Sequence, residues 1–238
     1  MTGLCLLVVA KAPVPGLAKT RLCPPASPEQ AAEVAAAALL DTLDAVLAVP
    51  SAVPVVALTG DLPGAAQFAE LRPLLARTRM IPQRGADFAA RLAAAHADAA
   101  ALCPGLPVLQ IGMDTPQVTP GLLAAAGTRL RTDAADAVLG PAEDGGWWAL
   151  GLRDPRAAEA LREVPMSTAE TGARTLDALR GRGLHVGTLP TLSDVDTVGD
   201  ALRVADLVPE SRFARAVGPL RAHSAPSKAA ALPLTTED

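Results

Sequence analysis

The chain has 238 residues, of which 50% are hydrophobic but only 2% aromatic, and its formal net charge is −4. This composition fits one α/β domain with an aliphatic core, and the acidic balance argues against a nucleic acid as partner. The three cysteines, Cys5, Cys23 and Cys103, show no C-x-x-C spacing and cannot all pair within one chain. This pattern predicts a reducing compartment and argues against a zinc site. No apolar run reaches the roughly 18 residues of a membrane span, so the sequence predicts a cytoplasmic protein that does not bind membranes.

The chain begins with an apolar strand, predicted from Leu4 to Ala10, which leads into a basic loop. Two prolines and Gly16 preclude regular structure in this loop, and Lys11, Lys19 and Arg21 fall within eleven positions of it. Ammonium and guanidinium groups at the carboxyl end of a strand can surround a polyphosphate. The alternative is a solvated basic loop without a ligand. The segment is neither a Walker loop nor a G-x-G-x-x-G loop.

Strands and helices alternate along the rest of the chain. Ser27, Pro28 and Gln30 predict a helix that begins with a capping box and ends before Pro50. Strands are predicted at Val53 to Thr59, Arg79 to Pro82, Val108 to Ile111, Ala137 to Leu139, Trp147 to Leu152 and Leu184 to Leu189. Helices are predicted before Pro73, from about Phe88, from Thr119 to about Arg131, from Ser167 to Gly181 and from Thr197 to Leu207. The alternation predicts a three-layer α/β sandwich around a largely parallel sheet with right-handed crossovers.

A polar loop from Gln83 to Asp87 precedes one of these helices. In that helix Phe88, Leu92 and His96 recur at helical spacing and share one face. A single histidine on an apolar stripe usually packs in the core, so His96 is interpreted as a structural residue.

The central strand ends in a turn that carries a carboxylate. Val108 to Ile111 is a nearly continuous apolar run, which is typical of a strand buried on both faces, and Gly112 and Asp114 follow it. Ligands of open α/β sheets bind outside the carboxyl ends of such strands, where a carboxylate can hold Mg²⁺ that is shared with substrate phosphates. The alternative for Asp114 is a turn cap before the helix at Thr119.

Asp144, Gly145 and Gly146 lie between two predicted strands. One interpretation is a plain hairpin turn. The other is a segment whose glycines let a substrate approach the backbone while Asp144 accepts hydrogen bonds from hydroxyl or base groups. The residues alone leave both interpretations open.

A second acidic segment follows the last predicted strand. Thr197 and Asp200 account for the N-cap and the N3 position of a helix. No such duty is evident for Asp194 and Asp196. A carboxylate close to Asp114 would repel it unless a cation lay between them, so Asp196 is predicted to complete the Mg²⁺ site.

Five segments occur together in a characteristic order. They are Lys11 to Leu22, Gln83 to Asp87 with Arg91 and Leu92, Gly112 to Pro116, Gly140 to Gly146, and Asp194 to Thr197. With this combination the chain resembles the DUF2064 family, also named rSAM/selenodomain-associated transferase 1, over about residues 4 to 207. That family is similar to 2-phospho-lactate guanylyltransferase and, more distantly, to the molybdenum-cofactor guanylyltransferase. The resemblance implies a GT-A-type, Rossmann-like fold with a mixed sheet.

The resemblance also implies a nucleotide site with assigned residues. Lys19, Arg21 and Asp114 would be the catalytic residues, the two cations contacting the donor phosphates. Asp114 would bind the cofactor, Mg²⁺ or Mn²⁺, with Asp196 as the second carboxylate and Asp194 as the alternative to Asp196. The substrate-binding residues would be Lys11, Gly16, Gln83, Asp87, Asp144, Gly145 and Gly146. In-line transfer of this kind depends on positioning and charge stabilisation and needs no covalent nucleophile.

These observations favour a nucleotidyltransferase-like enzyme that uses a nucleoside triphosphate and a small phosphorylated or sugar-like acceptor. The alternatives are a glycosyltransferase with a nucleotide-sugar donor and a nucleotide-binding module without turnover. The basic loop favours a triphosphate, because most GT-A glycosyltransferases lack such a loop. The name glycosyltransferase, which is sometimes given to the family, favours the sugar donor. Two well-separated carboxylates favour an enzyme over a binding module.

A single transferase domain is predicted over residues 1–221. The segment at residues 222–238 is rich in Ser, Ala, Pro and Thr, has little to bury, and is predicted to be disordered. The sequence identifies neither the donor base nor the acceptor. A homodimer is one oligomeric state that it allows.

Overall fold

The computed structural model describes residues 3–132 and 135–224. Its strands are β1 (Leu4–Lys11), β2 (Ala52–Thr59), β3 (Arg79–Pro82), β4 (Val108–Gly112), β5 (Ala137–Pro141), β6 (Trp147–Leu152) and β7 (Val186–Thr188). They form a seven-stranded sheet in the order β3-β2-β1-β4-β6-β5-β7. Strand β6 is antiparallel to its neighbours β4 and β5, and the other pairs in this sheet are parallel. The mixed sheet implied by the resemblance is confirmed.

The helices lie on both faces of this sheet. They are α1 (Pro28–Leu47), α2 (Phe68–Leu75), α3 (Phe88–Leu102), α4 (Pro120–Thr132), α5 (Thr171–Gly181), α6 (Val198–Leu207), α7 (Arg212–Val217) and α8 (Arg221–Ser224). Short 3-10 helices span Thr20–Leu22, Pro155–Glu163 and Gly218–Leu220. Within the described ranges, no helix combines the length and the apolar character needed to cross a membrane.

The alternation of side chains along β1 explains the three layers. Leu6 and Val8 pack in one core cluster with Leu39 and Leu43 of α1, whereas Leu7 belongs to the cluster on the opposite face, beneath α3. Successive side chains of a strand point to opposite faces, so an apolar run without polar interruptions requires helices on both sides. The predicted three-layer sandwich with an aliphatic core is confirmed.

Two predicted helix starts are confirmed by their capping hydrogen bonds. The Ser27 side chain accepts from the backbone of Gln30, whose own side chain accepts from the backbone of Ser27. Thr197 and Asp200 form the same reciprocal arrangement at the start of α6. These caps satisfy backbone N–H groups that have no partner inside the helix.

Other boundaries differ from the sequence predictions. Helix α5 begins at Thr171 rather than at Ser167, because Thr168 and Thr171 bond each other in a turn that precedes the helix. The 3-10 helix at Pro155–Glu163 was not predicted. Helix α8 extends to Ser224, past the predicted tail boundary at residue 222, and the rest of that predicted tail lies outside the described residues.

His96 is fully buried on α3, as interpreted from the sequence. Burial lowers the pKa of its imidazole to about 4, although the neighbouring side chain of Gln110 acts in the opposite direction. An unfolded histidine titrates near 6.5. Between pH 6.5 and 4 the unfolded chain therefore binds a proton that the folded chain does not, and stability falls as the pH falls through this range. We expect a loss of about 2 kcal/mol by pH 5 relative to pH 7.5 from this residue.

Urea unfolding of His96→Leu at the two pH values tests this expectation, because the variant should lose less stability at pH 5 than the wild-type chain. His185, whose side chain is exposed, supplies the control variant His185→Leu, which should retain the full pH dependence. Equal pH dependence in all three proteins would show that His96 does not oppose folding in acid.

Candidate functional site

Two adjoining pockets, of about 470 and 900 Å³, open at the carboxyl ends of the parallel strands. Lys11, Thr59 and Gly112, the last residues of β1, β2 and β4, line the larger pocket. Because β6 runs antiparallel to β4, the turn between β5 and β6 reaches the same edge of the sheet. Loops from distant parts of the sequence therefore meet at one cleft, where open α/β sheets bind ligands.

Lys19 extends from the loop after β1 into a group of carboxylates. Its ammonium lies 3.0 Å from Asp114 Oδ1 and 3.8 Å from Asp196 Oδ1, and it donates a hydrogen bond to the carbonyl oxygen of Val195. Burial acts to lower the pKa of Lys19, but the carboxylates of Asp114, Asp194 and Asp196 outweigh burial and raise the pKa. The side chain is only 9% exposed, so a permanent positive charge is enclosed between these acids.

The other two basic residues of the predicted loop, Arg21 and Lys11, lie at the rim of the same cleft. Arg21 donates from Nη1 to Asp196 Oδ2 at 2.8 Å, and its side chain is 71% exposed. Lys11 donates from Nζ to the carbonyl oxygen of Leu17 at 2.7 Å. Both residues line the two pockets, so the structure brings the three basic residues of the predicted loop to one site.

Asp144, Asp194 and Asp196 offer carboxylate oxygens that lie within 4.8 Å of one another. The turn between β5 and β6 fixes Asp144, which accepts a hydrogen bond from the backbone of Gly146 at 2.8 Å. Val195 is fully buried, and the two acids on either side of it line the larger pocket. A buried valine between two aspartates thus anchors the acidic segment to the core.

The electrostatics of this group suit a hard divalent cation. Burial, together with the nearby carboxylates of Asp114 and Asp196, raises the pKa of Asp194 to about 7, while Lys19 acts to lower it. Oxygen ligands of Mg²⁺ or Mn²⁺, each about 2.1 Å from the ion, lie about 3 to 4 Å apart. The oxygens of this group lie within 4.8 Å of one another, so small side-chain movements would bring them to that spacing. A cation entering here would be held by carboxylates that otherwise repel one another.

The two residues predicted to bind the metal, Asp114 and Asp196, have different surroundings in the structure. Asp196 belongs to the group that could hold an ion, whereas Asp114 is paired with Lys19 and lies outside that group. Asp144, predicted to bind substrate, and Asp194, which the resemblance gave as the alternative second carboxylate, are its other members.

Gly145 has a structural role in the turn between β5 and β6. Gly145 has a φ of +87°, and a Cβ there would lie 2.0 Å from the carbonyl oxygen of Ala169. The backbone of Gly172 donates to the Gly145 carbonyl at 2.8 Å. The glycine is therefore required by a hairpin that packs on the loop before α5, and Gly145 does not line the pockets, whereas Gly146 does.

Three further predicted substrate-binding residues have local structural duties. Gln83 lines the larger pocket, but its Nε2 donates to the carbonyl oxygens of Ala10 at 2.8 Å and Ala57 at 3.0 Å, joining β1 and β2. Asp87 is the N-cap of α3 and does not line either pocket. Gly16 has a φ of +74° and serves the turn of the basic loop, also outside the pocket lining.

Some side chains of the larger pocket were not assigned from the sequence: Phe88, Arg91, Ser167 and Thr168. Phe88, Leu92 and His96 were predicted to share one face of α3. Leu92 and His96 are buried, whereas Phe88 is 41% exposed. The sequence held a signal for this exposure. The apolar stripe begins with Phe88 at the first residue of α3, and this end of the helix lines the larger pocket.

Solved structures share this fold. A protein named as a nucleotide-diphospho-sugar transferase from Desulfovibrio desulfuricans G20 is 27% identical, has a TM-score of 0.77, and matches 92% of this chain and 94% of its own. The 4-diphosphocytidyl-2C-methyl-D-erythritol synthase from Anaerococcus prevotii DSM 20548 is 12% identical, with a TM-score of 0.56 over 92% of this chain and 97% of its own. The Rv0371C protein of Mycobacterium tuberculosis H37Rv, in complex with manganese, is 20% identical, with a TM-score of 0.51 over 87% and 99%.

These neighbours confirm the predicted fold of nucleotide-dependent transferases. A comparison with curated proteins gave no match. The model of one family, described as uncharacterized protein conserved in bacteria (DUF2064), matches residues 42–168, more than half of the chain. The chain therefore belongs to the DUF2064 family.

Proposed function

We propose that this chain is a divalent-metal-dependent transferase that moves a nucleotidyl group from a nucleoside triphosphate to a small phosphorylated or sugar-like acceptor. The observation that carries the proposal is the cleft in which three basic side chains and four carboxylates meet at the carboxyl ends of parallel strands. The D. desulfuricans relative named as a transferase supports the reaction class.

Asp144, Asp194 and Asp196 are the residues that would hold Mg²⁺ or Mn²⁺. When bound, the ion would offset negative charge on the donor phosphates and on the group in transfer. Asp194 fits this role because burial among other carboxylates raises its pKa to about 7, and an incoming cation would favour its ionised form.

Lys19 balances the acids when no metal is present. Its ammonium, 3.0 Å from Asp114, neutralises carboxylates that would otherwise face one another across the cleft. A divalent cation bound by the neighbouring acids would take over this neutralisation. Lys19 and Arg21 would then be free to contact the donor phosphates, which is the role predicted for them from the sequence.

The transfer itself would need positioning rather than a protein nucleophile. An acceptor oxygen forms a bond to the α-phosphorus, and the bond from that phosphorus to the oxygen bridging to the β-phosphate breaks. The electron pair of the broken bond leaves with pyrophosphate, and the proton of the acceptor hydroxyl passes to solvent. Basic residues on one side of the cleft and the carboxylate group on the other would hold the reacting atoms in line.

The second candidate is a glycosyltransferase with a nucleotide-sugar donor. The name of the D. desulfuricans relative favours this alternative. The three basic residues at the cleft, Lys11, Lys19 and Arg21, favour the triphosphate, because it carries more negative charge than a nucleotide sugar.

A melting-temperature panel separates the two donors. Nucleoside triphosphates with Mn²⁺ should raise the melting temperature by about 5 °C when present at about 100 times their Kd, because a ligand that binds only the folded chain stabilises it. The shift should vanish in EDTA and shrink in Arg21→Ala. Stabilisation by nucleotide sugars alone would support the glycosyltransferase, and a chain that no nucleotide stabilises would contradict both candidates.

A further inference from the structure

One wall of the larger pocket is formed by the first turn of α3. Phe88 and Arg91 lie one turn apart there, and the guanidinium carbon of Arg91 lies 5.7 Å from the centre of the Phe88 ring. The chain has five aromatic residues, all within the described ranges, and among them only Phe88 has an exposed side chain. An exposed aromatic ring that faces a pocket offers a flat surface to a ligand.

Arg91 has hydrogen-bonding capacity that the protein does not use. Its Nε is buried without a hydrogen-bond partner, and the guanidinium forms no ion pair with any residue that the structure describes. Arg84, on the loop before the same helix, is instead paired with Asp98 outside the pocket. A buried donor without a partner is rare in a native protein and requires an explanation. An acceptor atom of a ligand bound in the pocket would supply one.

The position of this wall fits the base of a nucleotide. Thr59, the last residue of β2, and Gln83, which directly follows β3, line the same pocket as Phe88 and Arg91, and β2 and β3 are parallel. Nucleotides bind in this place in open α/β sheets. The larger pocket also includes the carboxylates and Arg21, so a base at this wall could be continuous with phosphates at the basic loop.

We propose that Phe88 and Arg91 form the base subsite of the donor and that Arg91 selects a keto base. Phe88 would stack on the ring, which any base permits. Arg91 carries donors only, so it matches O6 of guanine or hypoxanthine and O4 of uracil. Adenine and cytosine carry amino groups at these positions, which are donors themselves and would face the guanidinium unfavourably. Guanine and hypoxanthine present two acceptors, O6 and N7, on one edge, which a guanidinium can contact with two hydrogen bonds. This inference rests on the proposed use of a nucleotide donor.

Calorimetric titration of the full chain with five triphosphates in Mn²⁺ tests the selection. GTP, ITP and UTP should bind at least about tenfold more tightly than ATP and CTP, which is the discrimination expected of well-placed base contacts. ITP lacks the 2-amino group of guanine and should bind like GTP if O6 and N7 are read. UTP tests recognition of O4 alone, because uracil lacks the N7 acceptor of a purine, and UTP binding no tighter than CTP would contradict selection of a keto base.

Variants assign the effect to each side chain. Arg91→Met should reduce the affinity for keto bases to that for amino bases, and Arg91→Lys, which keeps the charge but loses the planar fork, should not restore the preference. Phe88→Ala should weaken all five triphosphates by a similar factor of about ten, because stacking does not depend on the base. Arg84→Met is the matched control and should leave all five affinities unchanged.

Two results would overturn the inference while leaving the proposed function intact. One is equal affinity for keto and amino bases in the wild-type chain. The other is an equal loss for all five triphosphates in Arg91→Met that Arg91→Lys restores, since this would place Arg91 on the phosphates. If no triphosphate bound in Mn²⁺, the proposed function itself would fall, and the base subsite with it.

Discussion

Replacing Lys19 by methionine is expected to tighten the binding of Mn²⁺ in the absence of nucleotide by about tenfold or more. The ammonium of Lys19 lies 3.0 Å from Asp114 and 3.8 Å from Asp196, and its side chain is almost buried. Two unit charges at such distances interact by a few kcal/mol even at an effective dielectric constant of about 20. Removing this competing cation should therefore favour a metal ion among the same acids, since about 1.4 kcal/mol corresponds to a factor of ten.

The same variant should lose affinity for triphosphates and should be less stable than the wild-type chain without metal, because its carboxylates then repel one another. Mn²⁺ should restore its stability. Calorimetry and thermal unfolding measure the three effects. Lys11→Met is the control, since Lys11 lines the cleft but bonds a carbonyl oxygen rather than a carboxylate, and its Mn²⁺ affinity should equal that of the wild-type chain. Unchanged or weaker Mn²⁺ binding in Lys19→Met would contradict the idea that Lys19 and the metal balance the same charges.

Much of the fold could be predicted because its signals are local. The apolar run of β4 ends at Gly112, one residue beyond the predicted strand, and β6 has the predicted bounds. The capping residues Ser27 and Thr197 form the predicted hydrogen bonds because a cap depends on the next three residues only. The strand at Val186–Thr188 is shorter than predicted, because apolar residues at Leu184 and Leu189 continue the hydrophobic pattern beyond the paired segment.

The site could be predicted only in part, because its contacts join distant segments. Lys19 and Asp114 are brought together by the pairing of β1 with β4, which no local pattern announces. Asp144 reaches the acidic group because β6 is antiparallel, and the alternation of strands and helices favours parallel pairing as the default. Arg91 lies on a predicted helix, but its exposure to a pocket depends on the neighbouring elements.

Replacing Asp196 by asparagine is expected to weaken Mn²⁺ binding by about tenfold or more, because one of three converging carboxylates would lose its charge. The loss of turnover should be larger still, since the metal and the cations would act mainly on charge that develops during transfer. Asp200→Asn is the matched control. Asp200 caps α6 and bonds Arg203 at 2.6 Å, so its replacement should cost about 1 kcal/mol of stability but leave Mn²⁺ binding unchanged.

Mn²⁺-dependent release of pyrophosphate from the best-bound triphosphate is the most direct test of the proposed metal site. It would be measured with a mixture of small phosphorylated and sugar-like hydroxyl compounds as acceptors, beside nucleotide affinity in the same samples. The wild-type chain should release pyrophosphate in Mn²⁺ but not in EDTA. Asp196→Asn should lose on the order of a hundredfold in rate and much less in nucleotide affinity, as for an interaction realised in the transition state. Pyrophosphate release that is unaffected by EDTA, or an Asp196→Asn variant with a lower melting temperature and an unchanged rate, would contradict the account.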